Sequence, residues 1–397
     1  MTLSIRRRAE LWGDRTAIVD VSESRFYASA KTVDGTRVSY TELAALADRV
    51  ATGLVATGIG AGDVVCVVSR NRVASLALFF ACHRLGVTFA PLSHRSTPAT
   101  VGDPIDRIDP DLVVHEPAQR DLVRALSREA TATFDDVVVD ESTGVAPETA
   151  TASEDGPLCY LHDDGGSPVV AFSRETVERN CIASAATWGL GRTDRVPLFL
   201  PLSTFDGLFR VTLPLLYVGG TILLDRAFDP GDALEAIRQE DATLLVGRAV
   251  EFRELAARGF DDGLGSVSRA ISETSVDDEI HEAFRERGVP LTRARGFLEC
   301  PNALTEPLAG VDETRFRPVL GCEARLVDDG VLEGAGEGRL QLSGPVVADG
   351  YVSPASIGDG DDAVDSSVDR DGGAFVDGWF ETGKRFRRDE DGRYAPS

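Results

Sequence analysis

The chain has 397 residues, 43% of them hydrophobic, and this length predicts two or three domains with a large core. Its 65 aspartate and glutamate residues exceed its 41 lysine and arginine residues, which gives a formal net charge of −24. A chain this acidic is expected to bind nucleic acid poorly, because the phosphates of nucleic acid require clustered cations. No apolar run is long enough to span a membrane. We therefore expect a cytoplasmic protein without a nucleic-acid partner or a membrane span.

The basic residues are almost all arginines, and the two lysines are Lys31 and Lys384. An acid-rich, lysine-poor surface predicts adaptation to high salt, because screening removes the repulsion among like charges.

The six cysteines form no C-x-x-C pair and have no histidine at ligand spacing. We expect them to be small buried hydrophobic side chains.

Helix and strand signals alternate in the first third of the chain. The stretch Ser39-Tyr-Thr-Glu-Leu43 predicts a helix to Val55, with Ser39 or Thr41 as N-cap. An apolar run at Asp63–Ser69 predicts a buried strand, and the helix after it, from Ala74, ends at Gly86. Further predicted elements are a strand at Val87–Pro91, a short helix at Pro104–Ile108 and a strand at Asp111–His115. This order predicts a parallel sheet covered by helices.

Three segments with different patterns predict three domains, at residues 1–175, 176–316 and 317–397. An acidic stretch between Asp135 and Pro157 predicts a loop, and a second α/β run starts near Thr176. Its predicted elements are a helix to Trp188, strands at Val196–Leu200 and Thr221–Leu224, and a helix from Thr204 to Tyr217. Short β-type segments separated by glycine and aspartate predict a β-rich subdomain from Arg317 on, with a flexible acidic insertion at 359–373.

Motifs near the end of the chain carry a family resemblance. They are Gly338-Arg-Leu-Gln-Leu-Ser-Gly-Pro-Val346, Gly350-Tyr351, Pro354 and Asp377-Gly-Trp-Phe-Glu-Thr-Gly-Lys384. In order and spacing they resemble the GELxxxGPxVxxGYxxxP...DGWFxTGD signature of adenylate-forming enzymes, the AMP-dependent synthetase/ligase family that includes acyl-CoA synthetases.

The resemblance implies a fold: two stacked α/β subdomains with mainly parallel sheets plus a small β-barrel-like subdomain, as in the large N-terminal domain of these enzymes. It is nearest to o-succinylbenzoate or medium-chain acyl ligases. Because the sequence stops at Ser397, we expect the C-terminal lid domain of the family to be absent, and a separate chain could supply it.

The family holds the triphosphate of ATP with a TSGTTGxPKG loop, which supplies donors and positive potential. The matching stretch here runs from Leu161 to Val169. Gly165, Gly166 and Pro168 keep the shape of the loop, whereas Asp163 and Asp164 replace small or hydroxyl residues and Val169 replaces the lysine. A carboxylate about 5 Å from a phosphate costs roughly 3 kcal/mol at an effective dielectric constant of ~20. We expect this loop to oppose ATP binding unless a metal ion bridges both aspartates to the phosphate.

Two further motifs place candidate residues in the nucleotide pocket. The YGxTE motif of the family corresponds to Arg295-Gly296-Phe297-Leu298-Glu299. The resemblance implies that Arg295 stacks on a base and that Glu299 binds a metal ion. A structural hydrogen bond is the alternative role for Glu299. Lys384 stands where the family has an aspartate that accepts hydrogen bonds from ribose, and an ammonium offers donors alone. Three roles remain open for Lys384: it could bind an acidic ligand, neutralise Asp163 or form a surface salt bridge.

Two loops beside these motifs also differ from the family. A glycine-rich loop is replaced by Ser272-Glu-Thr-Ser275, where we expect Glu273 to add negative charge. Near the acyl tunnel, Thr204, Phe205 and Asp206 stand in place of a histidine-containing stretch, and Gly207 is retained.

The resemblance leaves two functional hypotheses. In the first, the chain is a catalytically degenerate member that acts as a binding or regulatory subunit, for an acyl or CoA ligand or for a partner synthetase. In the second, it is an active carboxylate-CoA ligase that uses ATP, Mg and CoA and forms an acyl-adenylate. No cofactor is assigned under the first hypothesis.

Overall fold

The computed structural model describes residues 3–22, 36–126, 128, 130–139, 156–163, 166–226, 228–260, 264–273, 276–307, 315–352, 364–365 and 374–397. The helices are Ile5–Trp12, Tyr40–Ala56, Val73–Leu85, Pro98–Ile108, Arg120–Ala125, Arg174–Trp188, Leu213–Val218, Pro230–Gln239, Ala249–Arg258 and Asp278–Glu286, with a 3-10 turn at Pro117–Gln119 and a π-helix at Asp206–Thr212. Within these ranges no helix is both long enough and apolar enough to cross a membrane.

The strands, in chain order, are β1 (Thr16–Asp20), β2 (Arg37–Ser39), β3 (Val64–Val68), β4 (Thr88–Leu92), β5 (Leu112–His115), β6 (Thr131–Thr133), β7 (Pro157–His162), β8 (Val169–Ser173), β9 (Arg195–Leu198), β10 (Thr221–Leu224), β11 (Leu244–Gly247), β12 (Arg269–Ser272), β13 (Leu291–Arg295), β14 (Leu304–Thr305), β15 (Arg317–Pro318), β16 (Glu323–Val327), β17 (Gly336–Ser343), β18 (Gly350–Val352), β19 (Val364–Asp365), β20 (Ala374–Val376), β21 (Trp379–Arg388) and β22 (Tyr394–Pro396).

These strands form two large, mainly parallel sheets and one small antiparallel sheet, so the predicted fold class is confirmed. The nine-stranded sheet has the order β15-β14-β13-β12-β11-β9-β10-β1-β2 and is parallel from β13 to β1. The eight-stranded sheet has the order β19-β18-β8-β7-β4-β3-β5-β6 and is parallel from β7 to β6. The small sheet joins β16, β17, β21, β20 and β22 in antiparallel pairs.

Local sequence signals explain where several helices begin and end. Ser39 caps the helix Tyr40–Ala56 by accepting a hydrogen bond from the backbone N–H of Glu42, whose carboxylate accepts one from the N–H of Ser39. The helix Val73–Leu85 ends at Gly86, which has a φ of +73°. Both helices are rich in buried apolar side chains and belong to one core with strands of both large sheets.

Two helix predictions were wrong in detail. The predicted helix at Pro104–Ile108 is the end of a longer one, Pro98–Ile108, which begins after Thr97 and tolerates Pro104 inside it. The predicted helix from Thr204 to Tyr217 starts as a π-helix, Asp206–Thr212. The hydroxyl of Thr212 donates to the carbonyl of Gly207 at 2.7 Å, a bond across the widened turn.

The three predicted domain segments stay a prediction, but the sheets do not follow them one by one. Strands β1 and β2, from the first segment, pair within the nine-stranded sheet, and β18 and β19, from the third, pair within the eight-stranded sheet. The side chain of Asn71, after β3, donates to the carbonyl of Leu200 at 3.1 Å and accepts from the N–H of Leu202 at 2.9 Å. This bond pair ties the carboxyl ends of the two large sheets together.

Other sequence predictions concern cysteines and loops. All six cysteines are buried free thiols, as expected. The acidic loop between Asp135 and Pro157 lies outside the described residues from 140 to 155. The predicted acidic insertion is described only at β19, which pairs with β18, and its flexibility therefore stays a prediction.

Candidate nucleotide-site region

Four neighbouring parallel strands, β9, β11, β12 and β13, end at the same edge of the nine-stranded sheet. Ligands of α/β sheets bind outside this carboxyl edge. The segments that follow the strands carry Asp206, Arg248, Glu273 and Gly296, and Arg210 lies one turn further along the π-helix. Asp206 contacts Arg248, and Arg210 contacts Glu273 and lies beside Gly296. We call these five residues the edge cluster.

Arg210 is the centre of the edge cluster and is 1% exposed. Its guanidinium donates to the carbonyl of Pro301 at 2.6 Å and to the side-chain oxygen of Asn302 at 3.3 Å, and it forms an ion pair with Glu273. The rings of Trp188 and Phe205 lie 5.6 and 5.8 Å from its central carbon. Burial lowers the pKa of Arg210 to about 10, so that the group remains charged at neutral pH.

Glu273 uses its two carboxylate oxygens for different partners. One oxygen pairs with Arg210 and the other accepts from the N–H of Gly296 at 3.1 Å. The expectation that Glu273 adds negative charge is therefore wrong, because Arg210 neutralises it. The sequence of the loop around Glu273 could not show that Arg210, which belongs to the π-helix, lies beside it.

The guanidinium of Arg210 occupies the space directly beside Gly296. A Cβ atom on Gly296 would lie 2.7 Å from a nitrogen of Arg210, 2.8 Å from the ring of Phe205 and 2.3 Å from the carbonyl of Pro301. Gly296 is thus required by a close approach within the protein itself.

A second ion pair completes the edge cluster. The carboxylate of Asp206 is completely buried and accepts hydrogen bonds from Arg248 at 2.7 and 3.1 Å. Burial alone would raise the pKa of Asp206, but the hydrogen bonds and charge of Arg248 outweigh it and lower the pKa. The two arginines and two carboxylates of the edge cluster balance in charge.

The loop that matches the phosphate-binding position connects β7 to β8. Asp163 is exposed, its carboxylate accepts from the N–H of Ser167 at 3.1 Å, and its carbonyl accepts from the N–H of Gly166 at 3.0 Å. Gly166 has a φ of +89° and packs against the carbonyl of Thr100. Pro168 follows a cis peptide bond. Asp164 and Gly165 lie outside the described residues.

Val169 stands at the position of the family lysine and is 1% exposed. It pairs with His162 across the β7–β8 hairpin and lies in the core with Val101, Ile105 and Tyr160. An apolar side chain therefore points into the protein where the resemblance implies a cation for the phosphates.

The remaining pocket candidates lie between the nine-stranded and the small sheet. Arg295 is half-buried, and its guanidinium lies 5.6 Å from the ring centre of Phe386. Phe297 is half-buried and its ring lies 6.1 Å from that of Phe380. Lys384 is exposed, and the salt bridge considered for it has no carboxylate partner among residues 374–397 or elsewhere in the described ranges.

Glu299 is buried, and its carboxylate accepts a hydrogen bond from the hydroxyl of Tyr351 at 2.9 Å. The carbonyl of Glu299 also accepts from the N–H of Ala348 at 2.7 Å. Both contacts join the loop after β13 to the segment around β18. In the described part of the chain, no three His, Cys, Asp or Glu side chains are grouped to hold a metal ion.

Sequence reasoning missed Arg210 and Arg248. One signal was available: Arg210 stands inside the apolar run Leu208-Phe-Arg-Val211, where a lone charge must find a buried partner. The identity of that partner could not be read from the sequence.

Comparison with known proteins decides the family. The sequence profile of the family described as AMP-binding enzyme matches residues 5–164 and 169–352. The chain belongs to the AMP-binding enzyme family. The match is interrupted at residues 165–168, within the loop between β7 and β8.

Relatives with similar sequences are named as a CoA synthase and as CoA ligases. The chain is 28% identical to feruloyl-CoA synthase of Amycolatopsis sp over 93% of this chain and 74% of the relative. It is 29% identical to indoleacetate–CoA ligase of Aromatoleum aromaticum, over 89% and 72%. The corresponding values for 2-succinylbenzoate–CoA ligase of Bacillus licheniformis are 22%, 98% and 77%.

Two solved structures share the fold of this chain. The N-terminal domain of FACL13 from Mycobacterium tuberculosis matches with a TM-score of 0.82 and 18% identity, over 99% of this chain and 98% of that one. The o-succinylbenzoate CoA synthetase of Bacillus subtilis in complex with AMP matches with a TM-score of 0.80 and 20% identity, over 99% and 97%.

Proposed function

We propose that this AMP-binding family protein does not form acyl-adenylates and instead acts as a binding or regulatory subunit. The observation that carries the proposal is the edge cluster, in which Arg210 and Glu273 occupy the space beside Gly296. A ligand entering this space would have to separate a buried ion pair, which costs about 3–5 kcal/mol when one partner is left behind.

The loop between β7 and β8 supports the same proposal. Asp163 is exposed there, and Val169 is buried in the core. A triphosphate at this loop would meet a carboxylate and would lack the lysine of the family signature. The residues present therefore do not fit ATP with Mg, and we derive no catalytic step through that group.

An active carboxylate-CoA ligase is the second candidate. The relatives named above are CoA ligases, and Glu299 is retained. Its carboxylate is bonded to the Tyr351 hydroxyl, so metal binding would require Glu299 to exchange or share that contact. An active ligase would use ATP, Mg and CoA as cofactors.

Acid-dependent pyrophosphate release separates the two candidates. The protein is incubated in high salt with ATP, Mg and CoA and with ferulate, indoleacetate or 2-succinylbenzoate, with and without a separately produced C-terminal domain of a relative. The matched control is the corresponding stretch of that relative, supplied with the same C-terminal domain. We expect release by the control alone. Acid-dependent release by this chain would establish the ligase instead.

A further inference from the structure

Two buried thiols meet where the small sheet joins the rest of the molecule. Cys300 is fully buried and Cys322 is 8% exposed, and both belong to the apolar core of the small sheet. Both cysteines are free thiols. The side chain of Cys300 forms a hydrogen bond with that of Cys322. The two sulfurs therefore lie next to each other in the reduced protein.

Backbone pairing brings the two cysteines together. Strands β14 and β15 pair antiparallel, and the N–H of Val319 extends this pairing by donating to the carbonyl of Ala303 at 2.9 Å. Cys300 lies three residues before Ala303 and Cys322 three residues after Val319. A tight turn precedes each cysteine: the N–H of Cys300 donates to the carbonyl of Phe297 at 3.1 Å, and that of Cys322 to the carbonyl of Val319 at 3.0 Å. Backbone hydrogen bonds thus hold the contact from both sides.

The other partners of the two thiols are weak. The sulfur of Cys300 lies 3.7 Å from the carbonyl oxygen of Asn302, and the sulfur of Cys322 lies 3.7 Å from that of Glu323. A thiol is a weak donor, so little is lost when such a contact is given up. A disulfide requires sulfurs about 2.0 Å apart. Because the two sulfurs are already in contact, we expect side-chain rotation, with little backbone movement, to reach this distance.

The two cysteines differ in access and in reactivity. Burial raises the pKa of the Cys300 thiol, and its hydrogen bond with Cys322 raises it further. Because the thiolate is the nucleophile, Cys300 reacts slowly with an oxidant in solution. Cys322 is the more exposed of the two. An oxidant therefore meets Cys322 first, and Cys300 is in place to react with the product.

We propose that Cys300 and Cys322 form a reversible disulfide when the protein meets hydrogen peroxide. The sulfur of Cys322 attacks one peroxide oxygen as the thiolate, which gives a sulfenic acid and a hydroxide. The sulfur of Cys300 then attacks the sulfenic sulfur, and the S–S bond forms as a second hydroxide leaves. The two protons lost by the thiols convert both hydroxides to water. Two thiols are thus oxidised by two electrons, and one peroxide is reduced to two waters.

The disulfide would fasten the small sheet to the loop that carries the edge cluster. Cys300 follows the segment that contains Gly296, and Cys322 directly precedes β16 of the small sheet. A bond between them limits the freedom of the unfolded chain, so the oxidised protein should be the more stable form. In reducing compartments such bonds are usually transient and sense redox changes. This inference goes beyond the proposed function, since the bond does not depend on whether the chain forms acyl-adenylates.

Peptide mapping of the folded chain tests the disulfide. The reduced protein is treated with hydrogen peroxide at high salt, quenched with catalase, and unfolded in an alkylating agent that traps the remaining thiols. A non-reducing tryptic digest cleaves after Arg315 and Arg317, between the two cysteines, and mass spectrometry assigns each thiol. We expect a linked Cys300–Cys322 peptide pair in most molecules, and its loss on treatment with dithiothreitol.

Other cysteines and two variants serve as controls. Cys82 and Cys159, fully buried in the largest core, should be recovered as alkylated thiols. The thermal midpoint of the oxidised protein should lie roughly 5 °C above that of the reduced protein. Cys322→Ala should remove both the linked pair and this shift. Cys181→Ala, which removes a fully buried thiol from another core, should keep both.

Alkylated Cys300 and Cys322 after peroxide treatment would overturn the inference. So would a link that forms only after urea has unfolded the protein, since the native contact would then play no part. Sulfinic acid at Cys322 without the link would show that Cys300 is not placed to react with the sulfenic acid. An unchanged midpoint of the linked protein would refute the fastening of the small sheet. The digest of the wild-type chain decides the main point, so the test does not depend on the folding of either variant.

Discussion

Glu273→Gln is the substitution that most directly perturbs the edge cluster. Glutamine keeps the shape of the side chain and an oxygen that can accept from the N–H of Gly296. It removes the charge that faces Arg210, whose guanidinium stays buried at 1% exposure. Removing one partner of a buried ion pair typically costs about 3–5 kcal/mol.

The contacts of Arg210 place the expected loss at the lower end of this range. The guanidinium keeps its hydrogen bonds to Pro301 and Asn302, and we expect Glu273→Gln to lower the free energy of unfolding by about 3 kcal/mol. If Arg210→Met is introduced first, no buried cation is left without a partner. The same change at Glu273 should then cost less than about 1 kcal/mol.

Urea unfolding at a fixed high salt concentration measures these values, because urea, unlike guanidinium, does not alter the ionic strength. Intrinsic fluorescence of the three tryptophans, Trp12, Trp188 and Trp379, follows unfolding. The matched control is Glu282→Gln, which removes a carboxylate from an exposed ion pair with Arg285 and should leave the midpoint unchanged. Equal effects of the two glutamine variants, or an unchanged cost of Glu273→Gln in the Arg210→Met background, would refute the reasoning.

Three other predictions concern the remaining features. Asp206→Asn should destabilise the protein at pH 7. Because the pKa of Asp206 is lowered in the folded protein, the carboxylate contributes its full stabilisation above the unfolded pKa of about 3.9. As the pH falls below this value, the difference in urea midpoint between wild type and variant should shrink. Gly166→Ala should destabilise the protein by about 1–3 kcal/mol more than Gly62→Ala does. Both glycines have positive φ, +89° and +94°, but only at Gly166 would a Cβ lie 2.7 Å from a backbone oxygen. Equal thermal shifts for the two variants would contradict this. The urea midpoint of the wild type should rise between about 0.1 and 2 M NaCl as screening increases, and a constant midpoint would refute salt adaptation.

Much of the fold could be predicted because its signals are local. Ser39 and Glu42 define a capping box within four residues, and Gly86 ends a helix through its own φ. The π-helix at Asp206–Thr212 could not be predicted, because its sequence, Asp-Gly-Leu-Phe-Arg-Val-Thr, fits an ordinary helix as well. The backbone bond from the N–H of Leu213 to the carbonyl of Leu208, five residues earlier, distinguishes the π-helix and appears only in three dimensions.

The candidate site could be located but not interpreted from sequence alone. The family motifs gave the positions of Gly296, Glu299 and Lys384, since motif spacing survives sequence divergence. They could not show that Glu273 pairs with Arg210, because the two residues lie in different elements and meet only when the π-helix packs against the ends of β12 and β13. A sequence that suggested an excess of negative charge folds into a cluster whose charges balance.

Single-turnover formation of an acyl-adenylate tests the central claim most directly. The protein, in excess over ATP and supplied with Mg, a carboxylic acid and a C-terminal domain from a relative, is quenched and analysed for acyl-AMP by mass spectrometry. Because this readout does not depend on thioester formation or product release, it reports on the adenylation step alone. The account predicts no acyl-AMP with this chain and stoichiometric acyl-AMP with the matching stretch of the relative. Acyl-AMP formed by this chain would contradict it.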